Sequence, residues 1–206
     1  MSKPELLYAT NNPGKLAEVR TFLGETANVK SPKDLGLDVD VDESGNSLEE
    51  NAELKARAFA VAAPDGLIVM ADDTGLEIDA LGGEPGIRVR RWKDGETEMT
   101  DEEIIAYCLE RMKDIPEGGR GAQFRTVVAL LLPGGRLKMF DGTLRGEILE
   151  SAASDHAPGF PFRSLMYVPE ADVLIGQLED DDTPPVLTHR QKAVRKAVDW
   201  LQSTEL

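Results

Sequence analysis

The sequence predicts an α/β protein built on a mixed β-sheet. Three observations point there: a strand–turn–helix opening over residues 5–23, a central apolar run at Gly66–Ala71, and strand-like runs from Phe124 to Glu150 broken by turn signals. At 206 residues the chain suits a single domain, with room for two lobes that share a core. No internal repeat is evident.

In chain order, Glu5–Thr10 reads as the first strand. It enters the polar turn Asn11-Asn12-Pro13-Gly14-Lys15 and then a helix from Leu16 to Leu23. Residues 27–46 form a connector with one short strand, Ala27–Ser31, and a strongly acidic end, Asp38–Gly45. Ser47 and Glu50 have capping-box spacing and open a helix through about Ala62. On it Asn51, Leu54, Lys55, Ala58 and Ala62 are spaced to share a face. The Gly66–Ala71 run reads as a buried strand that ends in Asp72-Asp73, where Gly75 permits a sharp turn or a close backbone approach.

Leu76–Leu81 alternates like a further strand, and Gly82–Gly86 reads as a turn or hinge. Arg88, Arg90 and Arg91 with Trp92 make a local basic cluster. Thr100 and Glu103 cap a helix to about Lys113, and Pro116–Gly119 is a loop. Phe124–Leu132, Leu137–Phe140 and Leu144–Glu150 read as an antiparallel meander, turning at Pro133-Gly134-Gly135 and at Asp141-Gly142. Residues 151–187 carry weak signals: two aromatics around a proline in Gly159–Ser164, and an acidic exposed turn at Glu179–Asp182. A last helix runs from Thr188 to about Gln202, with Thr188 and Gln191 in capping-box positions.

Composition narrows the function classes. The chain is 41% hydrophobic and 30% charged, with a net charge of −15. Such a surface repels phosphate backbones, so a nucleic-acid polymer is not an expected partner; a small anionic substrate would need local cations or a metal. The one cysteine, Cys108, leaves no intrachain disulfide and no cysteine-based zinc site. It fits a reducing compartment, and the cytoplasm is the expected location. Met1–Glu5 is polar, so no signal peptide is expected. No run reaches the ~18 apolar residues of a membrane span, and no membrane partner is expected.

Four stretches carry candidate chemistry. Two adjacent carboxylates disfavour full ionisation without a cation between them, and hard divalent metals take carboxylate oxygens, so Asp72-Asp73 reads either as a metal site or as a solvated strand end. Adjacent strand residues face opposite ways, so only one of the pair easily enters a given cleft. The Asn11–Lys15 turn before a helix reads either as an anion cradle with Lys15 as a point charge or as an ordinary turn. Asn51 and Lys55 on a small apolar stripe could reach a site at their helix's N-terminal end. His189 and Arg190 sit in a helical first turn, where the dipole disfavours cations; that placement makes sense beside an anion or a base, or as a surface pair.

Taken together, the blocks Ala9-Thr10-Asn11-Asn12-Pro13-Gly14-Lys15, Glu50-Asn51-Ala52 with Lys55-Ala56, Ala71–Leu76, Leu81-Gly82-Gly83 with Pro85-Gly86, and Thr188-His189-Arg190 resemble the inosine triphosphate pyrophosphatase family in order and spacing. The resemblance covers Leu6 to Leu201. It implies an elongated mixed sheet in two lobes around a central cleft, a homodimer, and Mg²⁺-dependent hydrolysis of ITP, dITP or XTP to the monophosphate and pyrophosphate, with Mn²⁺ as an alternative ion. Carried over by residue, Asp73 is the general base. Thr10, Asn11, Asn12, Lys15 and Lys55 hold phosphates, and Glu43 and Asp73 hold the metal, with Glu50 or Asp72 as further candidates. Thr74, Phe160, Phe162, Arg163, His189 and Arg190 lie near the nucleotide.

The chain departs from the family at the loop that frames the base. A Gly-Phe-Gly-Tyr-Asp-Pro pattern is replaced by Gly159-Phe160-Pro161-Phe162-Arg163-Ser164, which exchanges an acceptor for a donor at Arg163. A lysine of the family is replaced by Pro184. These departures imply a shifted base preference, toward pyrimidine or modified nucleotides, as one alternative. A nucleotide-binding protein without turnover is the other, which the retained Glu43, Lys55 and Asp73 argue against.

Overall fold

In the computed structural model, which describes residues 3–154, 157–181 and 183–204, the chain forms one mixed sheet with helices. The strands are β1 (Glu5–Tyr8), β2 (Asn28–Lys30), β3 (Ile68–Ile78), β4 (Pro85–Gly86), β5 (Gly121–Leu131), β6 (Leu137–Ile148), β7 (Met166–Val168) and β8 (Val173–Leu174). The helices are α1 (Pro13–Leu23), α2 (Leu48–Ala62), α3 (Asp101–Arg111), α4 (Ile175–Glu179) and α5 (His189–Ser203). Strand order is β2-β1-β3-β5-β6-β7-β8, with β4 also on β3. β1 pairs in parallel with β2 and β3, whereas β7 is antiparallel to β6 and β8.

The chain divides into two compact units whose boundaries fall within β3 and β5 and close to Gly142 on β6 and the start of α5. The first comprises Met1–Thr74, Thr126–Gly142 and His189–Leu206. Its core joins Leu6, Tyr8, Met70, Val128 and Leu130 of the strands to Ala193, Val194, Ala197, Val198 and Leu201 of α5. Those α5 residues recur at helical spacing, which is why an otherwise charged helix docks there. The second unit, Gly75–Arg125 with Thr143–Thr188, packs Ile78, Ile104, Cys108, Met112, Leu144 and Ile148. There the Thr100–Glu103 capping box starts α3 as its spacing predicts. Arg120, 4% exposed, donates to the carbonyls of Met112, Ile115, Ile148 and Leu149, so a cation satisfies acceptors just past the end of α3. Burial raises the Cys108 thiol to about 12, which makes it inert.

Several local expectations change. β3 runs unbroken through Asp72, Asp73 and Gly75 to Ile78, so the aspartates lie in mid-strand. Gly75 serves close approach: a Cβ there would meet the Gly86 carbonyl oxygen of β4 at 2.7 Å. The alternation in Leu76–Leu81 gives way at Asp79, where a 3-10 turn, Asp79–Leu81, begins. Asp141-Gly142 is not a turn, because β6 continues through it; a Cβ on Gly142 would strike the backbone at His189 and Ala193 of α5. On α2 the buried face is Leu48, Asn51, Ala52, Lys55, Ala56 and Phe59, which leaves Leu54 40% exposed and Ala62 outside it; bulky Phe59 sets the face, not the small Ala58. Glu179 is not in an exposed turn but ends α4 with a largely buried side chain, and Asp182 lies outside the described residues. Two arginines of the basic cluster form ion pairs, Arg90 with Asp101 and Arg91 with Glu98.

Candidate active site

Strand alternation gives the two aspartates of β3 separate partners, all within the first unit. Asp72 is 2% and Asp73 8% exposed. Around Asp72, Tyr8 Oη donates to Oδ1 at 2.6 Å, while Lys15 Nζ (3.0 Å), Arg190 Nε (3.3 Å) and Thr74 Oγ1 (3.3 Å) all reach Oδ2. Arg190 also pairs with Glu18 of α1, and Thr74 Oγ1 shares a 2.7 Å hydrogen bond with Thr126. Two carboxylates, Asp72 and Glu18, thus balance two cations, Lys15 and Arg190, which lets four charges be buried together.

The electrostatics follow from this balance. Burial alone would raise the Asp72 carboxyl, but Lys15 and Arg190 hold it far below the usual carboxylate range. Burial lowers Lys15 despite the attraction of Asp72. Burial, then the negative charge of Asp72, raises Tyr8, so the phenol stays a donor. His189 is pushed well below its ordinary value by burial and then by Arg190, so it is neutral near pH 7. The conflict with the α5 dipole is thereby relieved: the histidine carries no charge and Arg190 sits between two carboxylates. With 2% exposure, Arg190 orients Asp72 and Thr74.

Asp73 is held from α2. Asn51 Nδ2 donates to its Oδ2 at 3.0 Å, and Lys55 Nζ donates to its Oδ1 at 3.3 Å. Lys55 also reaches Glu43 Oε2 at 2.9 Å. Burial opposes the charge on Lys55, yet Asp73, Asp72 and Glu43 raise it, so the ammonium persists. The acidic connector is therefore more than a solvated run: Glu43 shares a cation with Asp73. Ser47 caps α2 through Glu50 N–H at 3.1 Å, but Glu50 Oε2 accepts from Asn46 N–H at 2.7 Å, one residue beyond the capping-box position.

The β1–α1 turn is also engaged. α1 starts at Pro13, three residues before Leu16, because Asn12 is its N-cap. Asn12 Oδ1 accepts from the N–H groups of Gly14 (2.9 Å) and Lys15 (3.2 Å), and Asn12 N–H donates to Thr10 Oγ1 at 3.2 Å. Asn11 remains exposed. The turn thus has a fixed shape that aims Lys15 at Asp72.

The remaining sequence-predicted residues belong to the second unit. Phe162, 3% exposed, packs in that unit's core against Trp92 and Phe124. Phe160 is half-buried. Arg163 donates to Glu179 Oε2 at 3.4 Å and to both carboxylate oxygens of Asp180, so its guanidinium binds the loop to the end of α4. Gly159 N–H donates to Asp101 Oδ2 at 2.7 Å. The sequence patterns assign no role to Tyr8 or Glu18. Glu18 lies one helical turn after Lys15, a spacing that could have marked it; nothing local marks Tyr8.

Fold and site together define a buried charged centre: two carboxylates, each with its own lysine, on a strand flanked by helices. The chain belongs to the Ham1 family, whose model matches residues 6–200. A dITP/XTP pyrophosphatase of Pseudomonas aeruginosa is 38% identical over 196 residues, covering 92% of this chain and 93% of that protein. One from Symbiobacterium thermophilum is 34% identical over 204 residues, with 98% and 96% covered. Among solved structures, the Ham1 protein of Staphylococcus aureus is similar with a TM-score of 0.77 at 34% identity, covering 98% of this chain and 100% of that one.

Proposed function

We propose that this protein hydrolyses non-standard purine nucleoside triphosphates, of the dITP and XTP kind, to the monophosphate and pyrophosphate. The observation that carries the reading is the Asp73 carboxylate, buried and fixed by Asn51 and Lys55. The names of the P. aeruginosa and S. thermophilum relatives supply the substrate class. In this reading water attacks the α-phosphorus, Asp73 takes its proton, and the bond to the bridging oxygen breaks to release pyrophosphate. Lys55 and Lys15 stabilise the triphosphate charge in a water-poor setting. Asp72 and Arg190 hold Lys15 and Thr74 in place.

The residues present fit a divalent cation. Lys55 Nζ, between Glu43 and Asp73 at 2.9 and 3.3 Å, marks a point where two carboxylates already share positive charge. The donors are all oxygen, which suits Mg²⁺ or Mn²⁺; Mg²⁺ is commonly held by one or two carboxylates with substrate phosphates and water. Among the described residues no cluster of three or more His, Cys, Asp or Glu gathers for a metal. Glu43 and Asp73 would hold the ion, which would neutralise phosphate charge. A homodimer in the cytoplasm is part of the same proposal. The test is pyrophosphate release from ITP, dITP, XTP, GTP and dTTP with Mg²⁺. A preference for the first three supports the reading, and equal or absent turnover of all five rejects it.

A further inference from the structure

Asn51 is 4% exposed, and both ends of its amide are engaged. Nδ2 donates to Asp73 Oδ2 at 3.0 Å, while Oδ1 accepts from Gly45 N–H at 2.9 Å. Gly45 lies two residues after Glu43. One helical turn further along α2, Lys55 ties Glu43 itself to Asp73. The connector that carries Glu43 is thus joined to Asp73 by two links, both mounted on α2.

The links differ in kind. An ammonium is drawn to any incoming phosphate, so the Lys55 link competes with substrate. The Asn51 amide carries no net charge and has both its groups satisfied, so it is not drawn away. Asn is a poorer residue than Ala in a helix interior, so helix propensity does not account for it at this position. Gly45 supports the same contact: a Cβ there would lie 2.6 Å from Asn51 Oδ1 and 2.8 Å from Glu50 Cβ, so the backbone approach requires glycine.

We propose that Asn51 is a positioning residue that clamps the Glu43 connector to Asp73 and so sets the spacing of the two carboxylates for a divalent cation. The proposal rests on the pyrophosphatase reading and deepens it. Groups that orient metal-binding side chains typically change metal affinity by about 10- to 100-fold when removed.

The test uses the full-length protein, Mn²⁺ alone as the probe and no nucleotide. Mn²⁺ binding is measured by electron paramagnetic resonance for wild type, Asn51→Ala, Gly45→Ala and the double variant, beside kcat and KM for ITP at varied Mn²⁺. Each single change should weaken Mn²⁺ binding about tenfold or more, and the double variant should bind no more weakly than the worse single, because both break one link. High Mn²⁺ should restore kcat in Gly45→Ala, which keeps the Asn51–Asp73 bond, but only in part in Asn51→Ala. Gly45 is half-buried in a largely exposed connector, so that variant keeps the test decisive if Asn51→Ala does not fold. Unaltered Mn²⁺ binding in the variants of a wild type that binds overturns this inference alone, as do losses that multiply in the double variant. A wild type that does not bind Mn²⁺ overturns the metal assignment as well.

Discussion

Replacing Asp72 by asparagine tests whether the buried charge cluster is a stability element. The substitution keeps shape and an acceptor for the Tyr8 hydroxyl, but removes the negative charge that faces Lys15 and Arg190. Arg190, at 2% exposure, keeps Glu18, while Lys15, whose side chain is 19% exposed, loses its carboxylate. The new amide also directs donors at donors. Breaking a buried ion pair from one side costs ~3–5 kcal/mol. Against a total stability of ~5–15 kcal/mol that is a large fraction. For a chain of this size it corresponds to a fall in Tm of roughly 6–20 °C. The assay is urea unfolding followed by circular dichroism, with Asp79→Asn as control. Asp79 pairs with Arg145 where both side chains are more than half exposed, so its loss should cost at most ~1 kcal/mol. Adding Lys15→Met to Asp72→Asn should recover part of the loss, since no unpaired ammonium then remains. A loss for Asp72→Asn no greater than for Asp79→Asn would refute the reasoning.

His189 makes stability depend on pH. Its folded value lies below the unfolded value of about 6.5, so below that pH the unfolded chain binds a proton that the folded chain does not. Its contribution is fully present above about pH 6.5 and falls as pH drops, by at most ~1.4 kcal/mol per unit; His189→Gln should flatten this slope between pH 6.5 and 5, and an unchanged slope would exclude the residue. Arg163→Met should cost ~1–3 kcal/mol, because largely buried Glu179 loses a donor, while the ratio of kcat/KM for ITP over GTP stays within about twofold; an altered ratio at unaltered stability would show that Arg163 reads the base. EDTA should abolish pyrophosphate release and Mg²⁺ or Mn²⁺ restore it, whereas full activity in chelator would remove the Glu43–Asp73 metal assignment.

Elements with local signals were legible in the sequence. α2 begins where Ser47 caps it and α3 where Thr100 and Glu103 do, because a cap depends on neighbours three residues away. Gly75 reads equally as a turn or a close approach, and Gly142 reads as a turn, because glycine marks both; only the distant β4 and α5 backbones show that each is a close approach. In the site, Asp73, Lys55, Lys15 and Glu43 were legible as a motif. Their partners were less so: the Asp72–Arg190 contact spans 118 positions, Tyr8 looks like an ordinary strand residue, and only its spacing from Lys15 marks Glu18. The loop change at Arg163 was visible, but its turn toward Glu179 and Asp180 depends on α4, whose sequence signals are weak.

In the proposed reaction Asp73 is the group that accepts the proton. The direct measurement is kcat/KM for Mg²⁺-dependent pyrophosphate release from ITP by wild type and Asp73→Asn, with circular dichroism confirming that both are folded. A positioned general base contributes about 10²- to 10⁴-fold, so the variant should lose at least ~100-fold. Activity within a few-fold of wild type in a folded variant would contradict the account.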